Sequence, residues 1–301
     1  MKMYLFIFTA ILLSVTYANA HVFGKDSRTI GDNFPVSENY YNSVYQAELA
    51  KQNLVHVECT KNRKWDQNST SGFLIDVVDY AKRKKINGNF ETCNSRVLLS
   101  VAHYIEDRDN ASDRSCTIYQ SFKTNLGKSS YGKATGDLSL GSFEFKKQGR
   151  YIYQDFVIIE IDPLSNDEHP NRDNIKICPK SMEGKSETNN NLILPHLSRY
   201  ENDKWALQKN LKIKAKISSG KCSGLPTKFS GVVMHNCDMD KRASGSPLLS
   251  IGNDKDVCAI GIQSGQGETN GIKKNSAVAL NDNHLFETKL SAFISNLSCK
   301  K

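Results

Sequence analysis

The feature that most constrains the fold of this 301-residue chain is a series of short apolar runs with the character of β-strands. The run at 211–217 alternates apolar residues with lysine, and this period of two indicates a strand with one solvated face. Turn-forming clusters interrupt the series, which favours a β-sandwich or barrel over a parallel βαβ sheet. We therefore expect an all-β fold. The clearest runs are 71–75, 95–101, 155–161, 211–217 and 257–262.

One helix is predicted near the end of the chain. From His284 to Leu297, apolar residues gather on one side at a spacing of 3.6 residues. A change in composition at 163–174, where proline, asparagine and acidic residues concentrate, separates two stretches of similar length. We expect an N-terminal half at 21–162 and a C-terminal half at 163–301.

The first 20 residues have the pattern of a secretory signal peptide. Lys2 precedes an apolar run at 5–15, and Ala18-Asn19-Ala20 supplies the small-residue cleavage pattern. The run is too short to span a bilayer, and no later stretch reaches 18 apolar residues. The alternative is a buried N-terminal helix. We expect an exported protein, extracellular or periplasmic, with no membrane partner after cleavage.

All eight cysteines lie after this segment, and an even number in an exported chain predicts up to four disulfides of undetermined connectivity. None has C-x-x-C spacing. His56 and His235 each lie near one cysteine, and two isolated pairs do not make a zinc site. We expect neither a metal nor another cofactor.

The chain carries a formal charge of +8, and its densest basic run is Lys82-Arg83-Lys84-Lys85. Nucleic-acid recognition requires a basic face with aromatic or groove-reading side chains, which is not evident here. We interpret the run as a solvated surface loop and expect no nucleic-acid partner. A cationic protein that binds polyanions is an alternative that rests on charge alone.

Three segments carry residues suited to nucleophilic catalysis. His103 stands where the apolar run 97–101 ends, and Asp155 stands where the run 156–159 begins. Ser244 lies in the small-residue segment Ala243-Ser-Gly-Ser246. Taken singly, each has an ordinary explanation: a strand-end histidine, a turn aspartate and a flexible glycine–serine turn.

Taken together, the three segments resemble the chymotrypsin-like serine proteases. A histidine, an aspartate about 50 residues later and a serine about 90 residues further is that family's chain order. The segments VLLSVAHYI, DFVIIEI and ASGSPLL resemble its three motifs. The S-G-S-P form and the opening VFGKDSR at 22–28 resemble the secreted glutamyl-endopeptidase-like branch, and GIQSGQG at 261–267 is similar to the family's substrate-binding strand.

The resemblance implies two antiparallel six-stranded β-barrels with a C-terminal α-helix. It also implies a secreted serine endopeptidase that works through an acyl-enzyme intermediate. Ser244 would be the nucleophile, His103 its general base and Asp155 the group that orients the histidine. The backbone N–H groups of Arg242 and Ser244 would form the oxyanion hole.

The same resemblance implies where a peptide binds. Ser264, Gly265 and Gln266 would pair with an extended substrate as an added strand, and Ser264 would donate a hydrogen bond to Asp155. Polypeptides are therefore the expected partners of the protein, and we expect a monomer.

Asp238 matches the base of the primary pocket in trypsin-type members, which implies a preference for Arg or Lys. The glutamate-cleaving branch uses a histidine at the position of Gln263, so a glutamyl preference is weakened. A disulfide between Cys222 and Cys237 would stiffen the pocket wall. The alternative for Asp238 is a loop residue without substrate contact.

Several positions depart from the family pattern. Arg242 replaces the usual glycine of the oxyanion hole, Ala243 replaces the aspartate of zymogen activation, and Tyr104 replaces a cysteine. Residues 76–92 look like an insertion. Arg242 supports the alternative that the chain is a catalytically impaired homologue acting as a secreted binding module, because a non-glycine residue reaches positive φ only at a cost of about 1–2 kcal/mol.

Overall fold

The computed structural model describes 28–30, 54–61, 69–91, 96–103, 114–120, 130–134, 152–161, 174–179, 192–198, 214–218, 222–225, 230–239, 243–251, 257–269 and 272–297. In this part of the chain, strands are the predominant elements. Six strands of the first half are β2 (Leu54–Lys61), β3 (Ser69–Leu74), β4 (Arg96–Ser100), β5 (Arg114–Gln120), β6 (Ser130–Ala134) and β7 (Val157–Ile161). The others are β1 (Arg28–Ile30), β8 (Leu192–Ser198), β9 (Lys214–Ser218), β10 (Gly224–Leu225), β11 (Val232–His235), β12 (Pro247–Ile251), β13 (Val257–Thr269) and β14 (Ile272–Ala279).

The first half forms a closed antiparallel barrel of six strands, in the order β2-β3-β4-β7-β6-β5. The position of β4 between two cores explains why its sequence is apolar without alternation. Val97 and Leu99 pack into a large core that also contains residues of the second half, whereas Leu98 packs into a smaller core with residues of the barrel. Both faces of β4 are therefore buried, and a strand buried on both faces is a continuous apolar run.

The seven strands of the second half and β1 form an eight-stranded sheet in the order β1-β9-β8-β12-β13-β14-β11-β10. Strand β1 comes from the beginning of the described chain, yet it pairs with β9 rather than with a strand of the barrel. The predicted all-β, chymotrypsin-like fold class is confirmed, and the second sheet contains two strands more than the six expected. The boundary between residues 162 and 163 stays a prediction.

Two helices accompany the sheets in the described part of the chain. Helix α1 (Val77–Lys84) begins after Asp76, whose side chain accepts the N–H of Asp79. It lies within residues 76–92, the segment that looks like an insertion in the sequence. The basic run at 82–85 forms the exposed last turn and C-cap of α1, so its interpretation as a loop was wrong. Basic residues are favoured there because the carbonyl end of a helix is negative.

Helix α2 (His284–Ser295) confirms the predicted C-terminal helix. The side chain of Asn283 caps it by accepting the N–H of Phe286 at 3.2 Å. One face of α2 enters the large core, where the ring of Phe286 meets that of Phe156 edge to face, with 5.1 Å between the ring centroids. Because Phe156 directly precedes β7, this contact ties the terminal helix to the barrel near Asp155.

Two disulfides lie among the described residues. Cys178 pairs with Cys258, and Cys222 pairs with Cys237 as predicted. The proposed signal peptide at 1–20 lies outside the described residues. Of the helices described, none is long and apolar enough to cross a membrane. The described residues contain no cluster of three or more His, Cys, Asp or Glu side chains that could hold a metal ion.

Candidate active site

Pairing between β4 and β7 brings His103 to Asp155. The two strands are antiparallel, and Ser100 at the end of β4 pairs with Val157 at the start of β7. The residues that follow β4 therefore lie beside those that precede β7. Asp155 itself is held at this point by a short 3-10 turn at Ile152–Gln154, because its N–H donates to Ile152 O at 3.0 Å.

The buried carboxylate of Asp155 accepts two hydrogen bonds from His103. The ring nitrogen Nδ1 lies 2.6 Å from Oδ2, and the main-chain N–H donates to Oδ1 at 3.0 Å. Burial acts to raise the pKa of Asp155, but the charge of His103 and the hydrogen bonds to the carboxylate outweigh it and hold the pKa below its usual value. Asp155 thus remains an anion, and its contact with Nδ1 fixes the orientation of the His103 ring.

Ser264 links this pair to Ser244. Its hydroxyl donates to Oδ2 of Asp155, as the resemblance implied, and its main-chain oxygen accepts the hydroxyl of Ser244 at 3.1 Å. Strand β13 of the second sheet therefore contacts both the carboxylate of the barrel and the serine that precedes β12. The structure thereby brings His103, Asp155, Ser264 and Ser244 into one site.

The backbone around Ser244 forms a tight turn with a free donor. Ser246 N–H donates to Ala243 O at 3.0 Å, and Gly245 has a φ of +84°. Within the described part of the chain, no group accepts a hydrogen bond from the N–H of Ser244. A free N–H beside a candidate nucleophile is the kind of donor that stabilises an oxyanion. The other predicted donor, Arg242, lies outside the described residues.

Residues of the barrel that the sequence analysis did not single out hold the same turn. Ser71 N–H donates to Ser244 O at 3.0 Å, and the hydroxyl of Thr70 donates to the same oxygen at 2.7 Å. The hydroxyl of Ser100 in turn donates to Ser71 O at 2.6 Å. A strand motif containing Thr and Ser carries no sign of a partner some 170 residues away, so only the tertiary structure reveals these contacts.

Strand β13 offers an edge beside the site. Strand β12 pairs with β13 within 257–262 and β14 pairs with it from Gly261 onward, so the strands described place only β14 against 265–269. Gly265 is partly exposed, and a Cβ atom at this position would meet nothing within 4 Å. Gln266 lies on the same edge, and its side chain is outside the described residues. An extended peptide could add to this edge without displacing a described strand.

The segment that carries Asp238 is held by buried polar contacts. Asp238 is 3% exposed. The preceding residue, Cys237, donates its N–H to Nδ1 of His235 at 3.2 Å and accepts the Asn275 side-chain amide at 2.6 Å. His235 Nε2–H donates to Gln263 Oε1 at 2.6 Å. This arrangement requires a neutral ring, and burial lowers the pKa of His235 to about 4.

His235 was noted in the sequence only for its nearness to a cysteine. The structure instead makes it the link between the Asp238 segment and β13, because it contacts Cys237 on one side and Gln263 on the other. A lone histidine in a strand gives no sequence signal for this position. Ala243 is fully buried, and Tyr104 lies outside the described residues.

Comparisons with solved structures find likenesses at low identity. The chain is similar to Deg5 (14% identity, TM-score 0.47), with 81% of this chain and 91% of that chain covered. It is similar to the active form of the Rv3671c protease from M. tuberculosis (12%, 0.48), with 89% and 90% covered. A third likeness is to the serine endoprotease from Yersinia pestis (14%, 0.47), with 87% and 68% covered. No protein-family model and no curated protein matches the sequence.

Gly245→Ala should destabilise the fold by about 3 kcal/mol or more. The substitution places a side chain at φ +84°, and its Cβ would lie 1.8 Å from Ser71 O, a backbone atom that cannot move aside freely. Urea unfolding of both proteins measures the loss. Gly265→Ala is the matched control and should change stability by less than about 1 kcal/mol. Equal effects of the two substitutions would contradict this description of the turn.

Acid should destabilise the protein through His235. Above pH 6.5 the ring is neutral in both states, whereas between pH 6.5 and 4 the unfolded chain binds a proton that the folded protein does not. The free energy of unfolding should therefore fall by about 3 kcal/mol over this range because of His235 alone. Urea unfolding of wild type and His235→Gln between pH 7 and 4 isolates the contribution of His235 to this loss of stability.

The difference in free energy of unfolding between wild type and His235→Gln should shrink by about 3 kcal/mol when the pH falls from 6.5 to 4. His284→Gln, at an exposed position at the start of α2, is the control. A wild-type-to-His235→Gln difference that stays constant with pH would contradict a neutral buried ring.

Proposed function

We propose that the protein is a secreted serine endopeptidase with His103, Asp155 and Ser244 as its catalytic triad. One observation carries the proposal: Ser264 joins the charged and nucleophilic parts of the site, since its hydroxyl binds the Asp155 carboxylate and its carbonyl binds the Ser244 hydroxyl. Oδ2 of Asp155 also lies 2.6 Å from Nδ1 of His103 and orients the ring. Activated-serine chemistry requires these three residue types, and the contacts of Asp155 with His103 and of Ser264 with Ser244 support the assignment.

In the proposed reaction, the Ser244 hydroxyl turns from Ser264 O toward His103, and Nε2 takes its proton while Oγ attacks the carbonyl carbon of the scissile peptide bond. Asp155 stabilises the imidazolium that forms. His103 then gives the proton to the leaving amine, and an acyl-enzyme remains. Water, activated by the same histidine, releases the new carboxylate and restores the hydroxyl of Ser244.

The negative oxygen of the tetrahedral intermediate requires hydrogen-bond donors. We assign one donor to the N–H of Ser244, for which the described residues supply no acceptor, and the second to Arg242. Loss of one oxyanion donor costs other enzymes about 100- to 1,000-fold in rate. The identity of residue 242 therefore decides between an efficient protease and the impaired homologue that is the alternative function.

Substrate would bind as an extended strand along Ser264, Gly265 and Gln266. Main-chain hydrogen bonds to β13 would supply affinity, and the side chain before the cut would enter the pocket that ends at Asp238. The space beside Gly265 leaves room for the substrate. These features support polypeptides as the substrate class.

A preference for Arg or Lys before the cut is part of the proposal. Asp238 is buried and follows Cys237, which the disulfide to Cys222 and the contacts of His235 and Asn275 hold in place. Binding of a glutamate side chain would instead need a cation. The nearby wall contains neutral His235 and uncharged Gln263, which do not supply one.

Reaction with a fluorophosphonate probe tests the proposal at the level of the nucleophile. The mature protein should be labelled on Ser244, and labelling should vanish in Ser244→Ala and fall at least about 100-fold in His103→Ala because the general base is lost. Ser246→Ala is the matched control, since this second buried serine should not be required. Labelling that persists in Ser244→Ala would contradict the assignment.

Asp238→Asn should reduce kcat/KM for peptides with Arg or Lys before the cut by about 30-fold or more, because a buried cation would lose its charged partner. The rate with a neutral residue at that position should change little. Asp282→Asn, at an exposed position, controls for the change in net charge. A wild type that prefers Glu, or an unchanged selectivity in Asp238→Asn, would overturn the pocket assignment.

A further inference from the structure

Thr70 makes a contact with the proposed nucleophile that spans both halves of the molecule. Its side chain lies in β3 of the barrel and is 2% exposed. The hydroxyl Oγ1 donates to the main-chain oxygen of Ser244 at 2.7 Å, across 174 residues of sequence. A hydroxyl buried to this degree would cost free energy without a hydrogen-bond partner, so packing of β3 against Ser244 depends on this contact.

The peptide group between Ser244 and Gly245 is held at both ends. Its carbonyl oxygen accepts from Thr70 and from the N–H of Ser71 at 3.0 Å, which uses both lone pairs of the oxygen. Its N–H donates to Gln263 O at 2.7 Å. The barrel therefore fixes one end of this peptide group and strand β13 fixes the other.

The orientation of this peptide group determines how the nucleophile points. The group is bonded directly to the Cα of Ser244, so a rotation of its plane turns the serine Cα–Cβ bond relative to the groups around it. Gly245, with φ +84°, continues the turn without a side chain that could restrict the peptide from the other side. Displacement of a reacting group by about 1 Å can cost about 100-fold in rate.

From these contacts we propose that Thr70 is a positioning residue for the nucleophile: its hydroxyl, with the N–H of Ser71, fixes the Ser244 carbonyl and thereby the direction of the Ser244 hydroxyl and N–H. The inference rests on the proposed serine endopeptidase function. Of the three hydrogen bonds to this peptide group, the one from Thr70 alone comes from a side chain, so a substitution can remove it.

Thr70→Val tests the inference, because valine keeps the branched shape that suits a strand and removes the hydroxyl. We expect kcat to fall roughly 3- to 10-fold, as for the loss of one neutral hydrogen bond, with KM within twofold of wild type. The concentration of active enzyme is determined by titration with the fluorophosphonate probe, so that unfolded protein does not count. Thr70→Ser, which keeps the hydroxyl, should recover most of kcat.

Thr288→Val on the exposed face of α2 is the matched control and should leave kcat unchanged. A wild-type kcat per titrated site in Thr70→Val, or an effect on KM alone, would overturn the positioning role. Failure of Thr70→Ser to recover kcat would do the same.

A wild type that the probe does not label would instead reject the proposed function. The Thr70 contact is then judged by the 13C chemical shift of the Ser244 carbonyl, which should move upfield in Thr70→Val and return in Thr70→Ser. An unchanged shift in Thr70→Val would overturn the inference.

Discussion

The site depends on the burial of one negative charge. Asp155 is 4% exposed, and a carboxylate removed from water costs several kcal/mol unless hydrogen bonds and an opposite charge compensate for it. His103 supplies two of the hydrogen bonds and Ser264 supplies another. Compensation therefore requires the end of β4, the start of β7 and strand β13 to meet at one point, and the barrel and the second sheet must dock with this geometry.

A second constraint acts on the uncharged turn that contains Ser244. The turn at Ser244 and Gly245 is pinned by barrel residues Thr70 and Ser71 on its carbonyl and by β13 on its N–H. Charge compensation at Asp155 and the hydrogen bonds to the turn at Ser244 thus use the same two sheets, and Ser264 contacts both residues. We interpret the interface between the halves as the element that sets the geometry of the candidate site, with the large shared core providing its rigidity.

The sequence predicted the parts of this arrangement that depend on local pattern. The apolar runs around β4, β7 and β13 and the 3.6-residue spacing of α2 anticipated those elements because short-range periodicity determines them. The resemblance also anticipated the contact between Ser264 and Asp155.

Long-range partners could not be predicted in this way. The bonds from Thr70 to Ser244 and from His235 to Gln263 join ordinary residues that are far apart in the chain, and nothing in the local sequence marks them. The basic run at 82–85 was interpreted as a solvated surface loop; its residues are exposed, but they form the end of α1. The roles of Arg242 and Gln266 stay predictions.

The central claim is that this site hydrolyses peptide bonds. The most direct measurement is incubation of the purified mature protein with a complex peptide mixture, beside Ser244→Ala, with the new termini identified by mass spectrometry. The account predicts cleavage after Arg or Lys by the wild type and no cleavage by the variant. New termini produced equally by both proteins, or by neither, would contradict it.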